Sequence, residues 1–130
     1  MDTVDLWLPD LKYSSDDCAS RLSGIDDYWT TVTENIRYAY QNSLKGLSSI
    51  IIRHLVLPNH FECCSKPILE WLAKETPQAL VNIMDQYRPH HLVFRDDRYK
   101  DIALPPRRWE VEKVYKLADE LGILWRGVSC

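Results

Sequence analysis

The sequence predicts an α/β protein made of three strand-then-helix units on a parallel sheet. Three observations lead there. Ile50-Ile51-Ile52-Arg53-His54-Leu55-Val56-Leu57 is rich in β-branched residues and apolar on both faces, as a strand buried in a parallel sheet should be. Tyr28, Val32, Ile36 and Tyr40 recur every four residues, the seam of an amphipathic helix. Strand-like and helix-like segments then alternate along the chain, which is the pattern of crossover connections rather than hairpins.

The first strand is expected from Val4 to Lys12, with Val4, Leu6 and Leu8 on one face and Asp10 and Lys12 continuing it. Pro9 ends or bends it, because proline cannot donate to the ladder. A polar loop from Ser14 to Asp27 follows. The first helix runs from Tyr28 to Gln41, capped by Asp26 or Asp27 and ended by Asn42, Ser43 and Gly46. Pro58-Asn59 stops the second strand. Ser65 offers an N-cap and Pro67 a first-turn residue for a helix reaching about Lys74, with Ile68, Leu69 and Leu72 as its buried stripe. The third strand is expected from Leu80 to Tyr87, closed by Arg88-Pro89. A charged loop from His90 to Arg108 is long for a plain connector, which suggests a lid or a solvated surface insert. The last helix starts near Pro106, buries Val111, Val114, Leu117, Ala118 and Leu121, and ends at Gly122. The tail from Ile123 to Cys130 reads as short and partly apolar.

At 130 residues the chain makes one domain, residues 1–130. A net charge of −3 supplies no basic field for nucleic acid or an anionic membrane. Apolar stretches are broken by charge well short of the roughly 18 residues a membrane span requires. The N-terminus is acidic and has no basic signal region, so the expected compartment is the cytoplasm. Cys18, Cys63, Cys64 and Cys130 contain no C-x-x-C spacing, and the expectation is free thiols with no metal site. His54 and His60, six apart, do not suit a simple metal site, and His90-His91 falls in a loop.

In parallel βα folds function gathers where strands end. Asp10 and Lys12 stand there on strand one, Arg53, His54, Asn59 and His60 on or just past strand two, and Asn82, Asp85, Gln86, Tyr87 and Arg88 on strand three. Arg53 is the sharpest signal, because a guanidinium in an apolar strand must find an anionic or strongly polar partner. That partner is either a ligand or a structural carboxylate, Asp10 or Asp85. Phosphate loops, nucleophile elbows and H-E-x-x-H motifs are absent.

Three segments carry a resemblance. Asp5-Leu6-Trp7-Leu8-Pro9-Asp10-Leu11-Lys12-Tyr13, Ile51-Ile52-Arg53-His54-Leu55-Val56-Leu57-Pro58-Asn59-His60 and Val81-Asn82-Ile83-Met84-Asp85-Gln86-Tyr87-Arg88-Pro89 resemble, in order and spacing, the fourth, fifth and sixth strand segments of radical SAM proteins related to pyruvate formate-lyase activating enzyme. The resemblance implies that the chain is the C-terminal half, three βα units, of a partial (β/α)6 TIM-type barrel. It implies S-adenosylmethionine and a [4Fe–4S] cluster in the complete protein, and hydrogen abstraction by a 5′-deoxyadenosyl radical. By position, Asp10, Lys12 and Arg53 would face SAM, while His54, Asn59, Gln86, Tyr87 and Arg88 would shape the substrate pocket. The cluster cysteines belong to the first strand of such a barrel, and this chain begins about where the fourth does. An N-terminal half on another chain is therefore the expected partner, with no nucleic acid and no membrane involved. Two other readings remain: a non-catalytic remnant or binding module that self-associates through its sheet edge, and a small doubly wound α/β domain of unrelated function.

Overall fold

The computed structural model describes residues 6–14, 16–23, 27–46, 49–85, 100, 102 and 104–128. Its elements in chain order are β1 (Leu6–Trp7), α1 (Asp16–Ser23), α2 (Tyr28–Leu44), β2 (Ser49–Leu55), a π-helical turn (Phe61–Ser65), α3 (Lys66–Glu75), β3 (Leu80–Met84), α4 (Arg108–Glu120) and β4 (Leu124–Val128). The strands form one sheet in the order β1-β2-β3-β4, each pair parallel.

This corrects the expected architecture. The sheet is open and has four strands, so the chain is not three βα units of a (β/α)6 TIM-type barrel. The fourth strand comes from the tail, where Leu124-Trp125-Arg126-Gly127-Val128 pairs along β3 from Leu80↔Leu124 to Met84↔Val128. The supposed loop after strand one contains α1. Beyond the two-residue β1, the expected first strand is held by isolated contacts. Arg53 N–H donates to Pro9 C=O at 2.8 Å and Leu11 N–H donates to Arg53 C=O at 2.8 Å, so the chain stays in register past the proline. The charged segment 86–99, with Gln86, Tyr87 and Arg88, lies outside the described residues.

Burial alternates along the strands with the period of two that a half-covered sheet imposes. Ile50, Ile52 and His54 of β2 and Val81 and Ile83 of β3 are buried. Between them Ile51, Arg53, Leu55, Leu80, Asn82 and Met84 are only partly covered. Among the described residues one face therefore carries the core and the other stays open, which does not favour a doubly wound sheet.

The core face packs on α2, α3 and α4 through Ile36, Ala39, Tyr40, Ile68, Leu69, Leu72, Val114 and Ala118. Trp29 meets Trp71 edge-on at 5.6 Å, and Arg37 lies 5.3 Å above the Trp71 ring while pairing with Glu75, which joins α2 to α3. α4 holds β4 by stacking Tyr115 on Trp125 at 4.6 Å, and Trp125 Nε1–H donates to Asp119 at 2.7 Å. The expected caps differ in detail. Asp27 precedes α2 in a left-handed conformation, φ 55°, without a side-chain cap bond. Ser65 is itself helical, and its hydroxyl serves His54 rather than a helix N–H. Gly122 follows α4 with φ 72°, as a helix-ending glycine should.

Candidate functional site

Two groups of chemically capable residues stand out, one along the strands and one in the turn after β2. The first is a polar row across the open sheet face. Asp10 bridges to Arg53, Arg53 is in register with Asn82, and Asn82 with Arg126. Residues in register on parallel strands share a face, and at about 4.8 Å per strand the row spans roughly 14 Å. Arg53 Nε donates to Asp10 Oδ1 at 2.6 Å, with the two side chains 38% and 42% exposed. At that exposure the pair adds at most about 1 kcal/mol to stability. The Asn82 side-chain oxygen is buried in the middle of the row, without a hydrogen-bond partner among the described residues. A buried acceptor left unsatisfied costs about 1–3 kcal/mol. Lys12 follows, half-buried, its backbone N–H donating to Tyr28 Oη at 2.8 Å; burial pushes the Tyr28 phenol up.

His54 lies elsewhere than a substrate pocket requires. It is fully buried on the core face. Nδ1 lies 2.7 Å from Leu11 C=O, which only accepts, so Nδ1 carries the proton. Nε2 then accepts from the Ser65 hydroxyl at 2.8 Å. Burial lowers its pKa from 6.5 to about 4, against the opposing effect of the Leu11 carbonyl, and the ring is neutral. Asn59 adopts φ 63° and turns the chain: its N–H donates to Glu110 Oε2 at 2.6 Å, and its Oδ1 accepts from Arg107 at 3.3 Å. The buried Glu110 carboxylate also accepts from the Arg107 backbone N–H at 3.1 Å, which ties the start of α4 to the end of β2. Beside it, a cavity of about 280 Å³ opens between Asp85 and α4, lined by Pro106, Arg108, Val111, Glu112 and Tyr115.

The second group is a set of donors that can hold a metal ion: Cys18, His60, Cys63 and Cys64, all within 4.8 Å of one another. The sequence spacing hides it, because no C-x-x-C pair is present and Cys18 lies far from the other three donors along the chain. His60, Cys63 and Cys64 stand at i, i+3 and i+4, the positions that share one helical face, and Cys18 arrives from α1. Burial pushes the Cys63 and Cys64 thiols up. The set does not suit a [4Fe–4S] cluster. In a cubane each thiolate binds a different iron, so the sulfurs must spread apart, whereas Cys63 Sγ lies 3.7 Å from Cys64 Sγ and 4.0 Å from Cys18 Sγ.

Arg53 thus pairs with Asp10, the structural carboxylate that was the alternative to a ligand, with Asn82 beside them. Arg126 was missed because its strand was read as a tail. No family model matches the chain. It is 34% identical over 120 residues to an uncharacterized protein of Methanocaldococcus jannaschii, covering 92% of this chain and 33% of that protein. The chain therefore spans about a third of that relative's length. No described helix is long and apolar enough to cross a membrane.

Proposed function

We propose that the open sheet face binds S-adenosylmethionine, and that the chain is the SAM-binding portion of a radical SAM iron–sulfur protein. The observation that carries this is the Asp10–Arg53–Asn82–Arg126 row, whose charges complement the methionyl end of SAM. Arg53 and Arg126 offer guanidinium donors to its carboxylate, for which a planar fork is the best match. Asp10 offers an acceptor to its ammonium or to a ribose hydroxyl. Lys12 adds a positive charge on the approach. The three strand motifs that resemble radical SAM proteins contribute the row's first three members.

With a reduced [4Fe–4S] cluster SAM supplies hydrogen-atom abstraction, and the cluster's cysteines would come from a segment other than this one. The role of this chain is to bind and orient. Its residues neutralise both charges of the methionyl group and hold it against a rigid sheet, whose opposite face is packed core. The length of the M. jannaschii relative is compatible with a larger whole that contains a cluster segment.

The test is equilibrium binding of SAM to the purified chain and to its Arg53→Met variant. Saturable binding that falls at least about tenfold in the variant, a loss of 1.4 kcal/mol, supports the reading. Equal binding by both proteins, or none by either, contradicts it. In the latter case a stable oligomer on a sizing column would favour self-association through the sheet, whose edge strands expose Leu6 and Leu124.

A further inference from the structure

We infer that Cys18, His60, Cys63 and Cys64 form a coordinatively closed Cys3His centre for a thiophilic divalent cation, with Zn²⁺ as the best fit. This site is separate from the SAM-facing row and stands whether or not that row binds SAM.

Tetrahedral zinc with Zn–S near 2.3 Å and Zn–N near 2.0–2.1 Å places sulfurs about 3.8 Å apart and nitrogen about 3.6 Å from each sulfur. Here the sulfur pairs Cys63–Cys64 and Cys18–Cys63 stand at 3.7 and 4.0 Å. His60 Nδ1 stands 3.1 Å from Cys63 Sγ, 3.5 Å from Cys64 Sγ and 3.8 Å from Cys18 Sγ. Four donors at the corners of one tetrahedron, all within 4.8 Å of one another, enclose a single ion and leave no position for water, the pattern of a structural site rather than a catalytic one. Three sulfurs and an imidazole are soft enough to exclude Mg²⁺ and Ca²⁺.

The backbone is shaped for the same purpose. The π-helical turn Phe61–Ser65 precedes α3, and single π turns mark functional positions in helices more often than chance. It turns Cys63 and Cys64 toward His60. Cys18 adds a tie from α1, whose connection to α2 runs through residues outside the described set. The Ser14 hydroxyl donates to the Cys63 carbonyl, and Leu11 C=O accepts from His54 while Ser65 donates to it. A metal would therefore clamp the segment that carries Asp10 and Lys12 onto the turn after β2. Its first effect is on stability, and its second is to fix where those two residues stand.

The experiment uses the whole chain purified under reductant, with Zn²⁺ and Co²⁺ alone as probes. Metal content, native mass and Co²⁺ absorption are measured for wild type, Cys18→Ser, Cys64→Ser, His60→Cys and a Cys130→Ser control. The inference expects one ion per chain, thiolate-to-metal charge transfer and tetrahedral Co²⁺ bands, unchanged in Cys130→Ser. It expects affinity in Cys18→Ser and Cys64→Ser to drop by more than the roughly 10–100-fold that loss of an outer-shell partner costs. His60→Cys, which supplies a fourth thiolate, keeps the ion and guards against variants that merely misfold. A metal-free chain whose thermal midpoint ignores both Zn²⁺ and chelator would overturn it. So would octahedral Co²⁺ bands, a Cys18–Cys63 disulfide in the reduced preparation, or full binding by Cys64→Ser.

Discussion

Two residues, Arg53 and His54, are neighbours in sequence and opposite in role, because successive strand residues face opposite ways. Arg53 reaches the open face and Asp10. His54 enters the core, where neutral imidazole is held between Leu11 C=O and the Ser65 hydroxyl. Its folded pKa of about 4 lies below the ordinary 6.5, so the unfolded chain takes up a proton that the folded chain refuses. The contribution of His54 is therefore whole above pH 6.5 and is lost as pH falls toward 4, a change of about 3 kcal/mol. Urea unfolding at pH 7 and pH 4 should show that loss in wild type and a flatter dependence in His54→Gln, whose amide does not titrate. Parallel pH slopes in the two proteins would remove His54 as the cause. Sequence reading found both residues as polar intrusions in an apolar strand. It placed Arg53 toward SAM and His54 in the substrate pocket, since period two alone does not tell which of two faces is covered.

At the scale of elements, the best-read segments were those with strong periodicity. α2, α3, α4, β2 and β3 sit within a few residues of where their apolar spacing placed them, because burial of a stripe fixes a helix more firmly than its ends do. Gly122 illustrates a terminus that was legible. At φ 72° with nothing within 4 Å of where a Cβ would stand, it is there for backbone conformation alone. Gly122→Ala should cost about 1 kcal/mol in chemical denaturation, and Gly122→Asn less, since asparagine visits the left-handed region more readily. Equal stability of all three would show that the turn relaxes elsewhere. The elements that were missed had weak local signals. α1, Asp-Asp-Cys-Ala-Ser-Arg-Leu-Ser, is short and polar, with Ala19 and Leu22 as its buried residues. β4 carries Arg126 and Gly127 where a strand usually shows apolar or β-branched side chains. Gly127 is explained by packing: a Cβ there would stand 3.0 Å from Tyr115 Oη and 3.3 Å from its ring. Gly127→Val should therefore cost about 1–3 kcal/mol by displacing Tyr115 from its stack on Trp125, seen as a lower thermal midpoint. An unchanged midpoint would mean that β4 is not held by that contact.

For the whole molecule, local reading identified the alternation of strands and helices but not the completed sheet. Pairing is non-local, and a strand as weak as β4 becomes visible only once β3 offers its edge. The candidate metal set was hidden for the same reason: Cys18 and His60 are brought together by the packing of α1 against the turn after β2, not by spacing. The sheet places Asp10, Arg53, Asn82 and Arg126 in one register row on the face opposite the core. As proposed above, this row recognises the methionyl zwitterion of SAM. The direct measurement compares S-adenosylhomocysteine with 5′-methylthioadenosine, which lacks the amino-acid end, as competitors for SAM on wild type and Arg53→Met. S-adenosylhomocysteine is expected to compete at least about tenfold better on wild type, and Arg53→Met to erase most of that preference. Equal competition by the two compounds on wild type, or a preference that survives Arg53→Met intact, would contradict it.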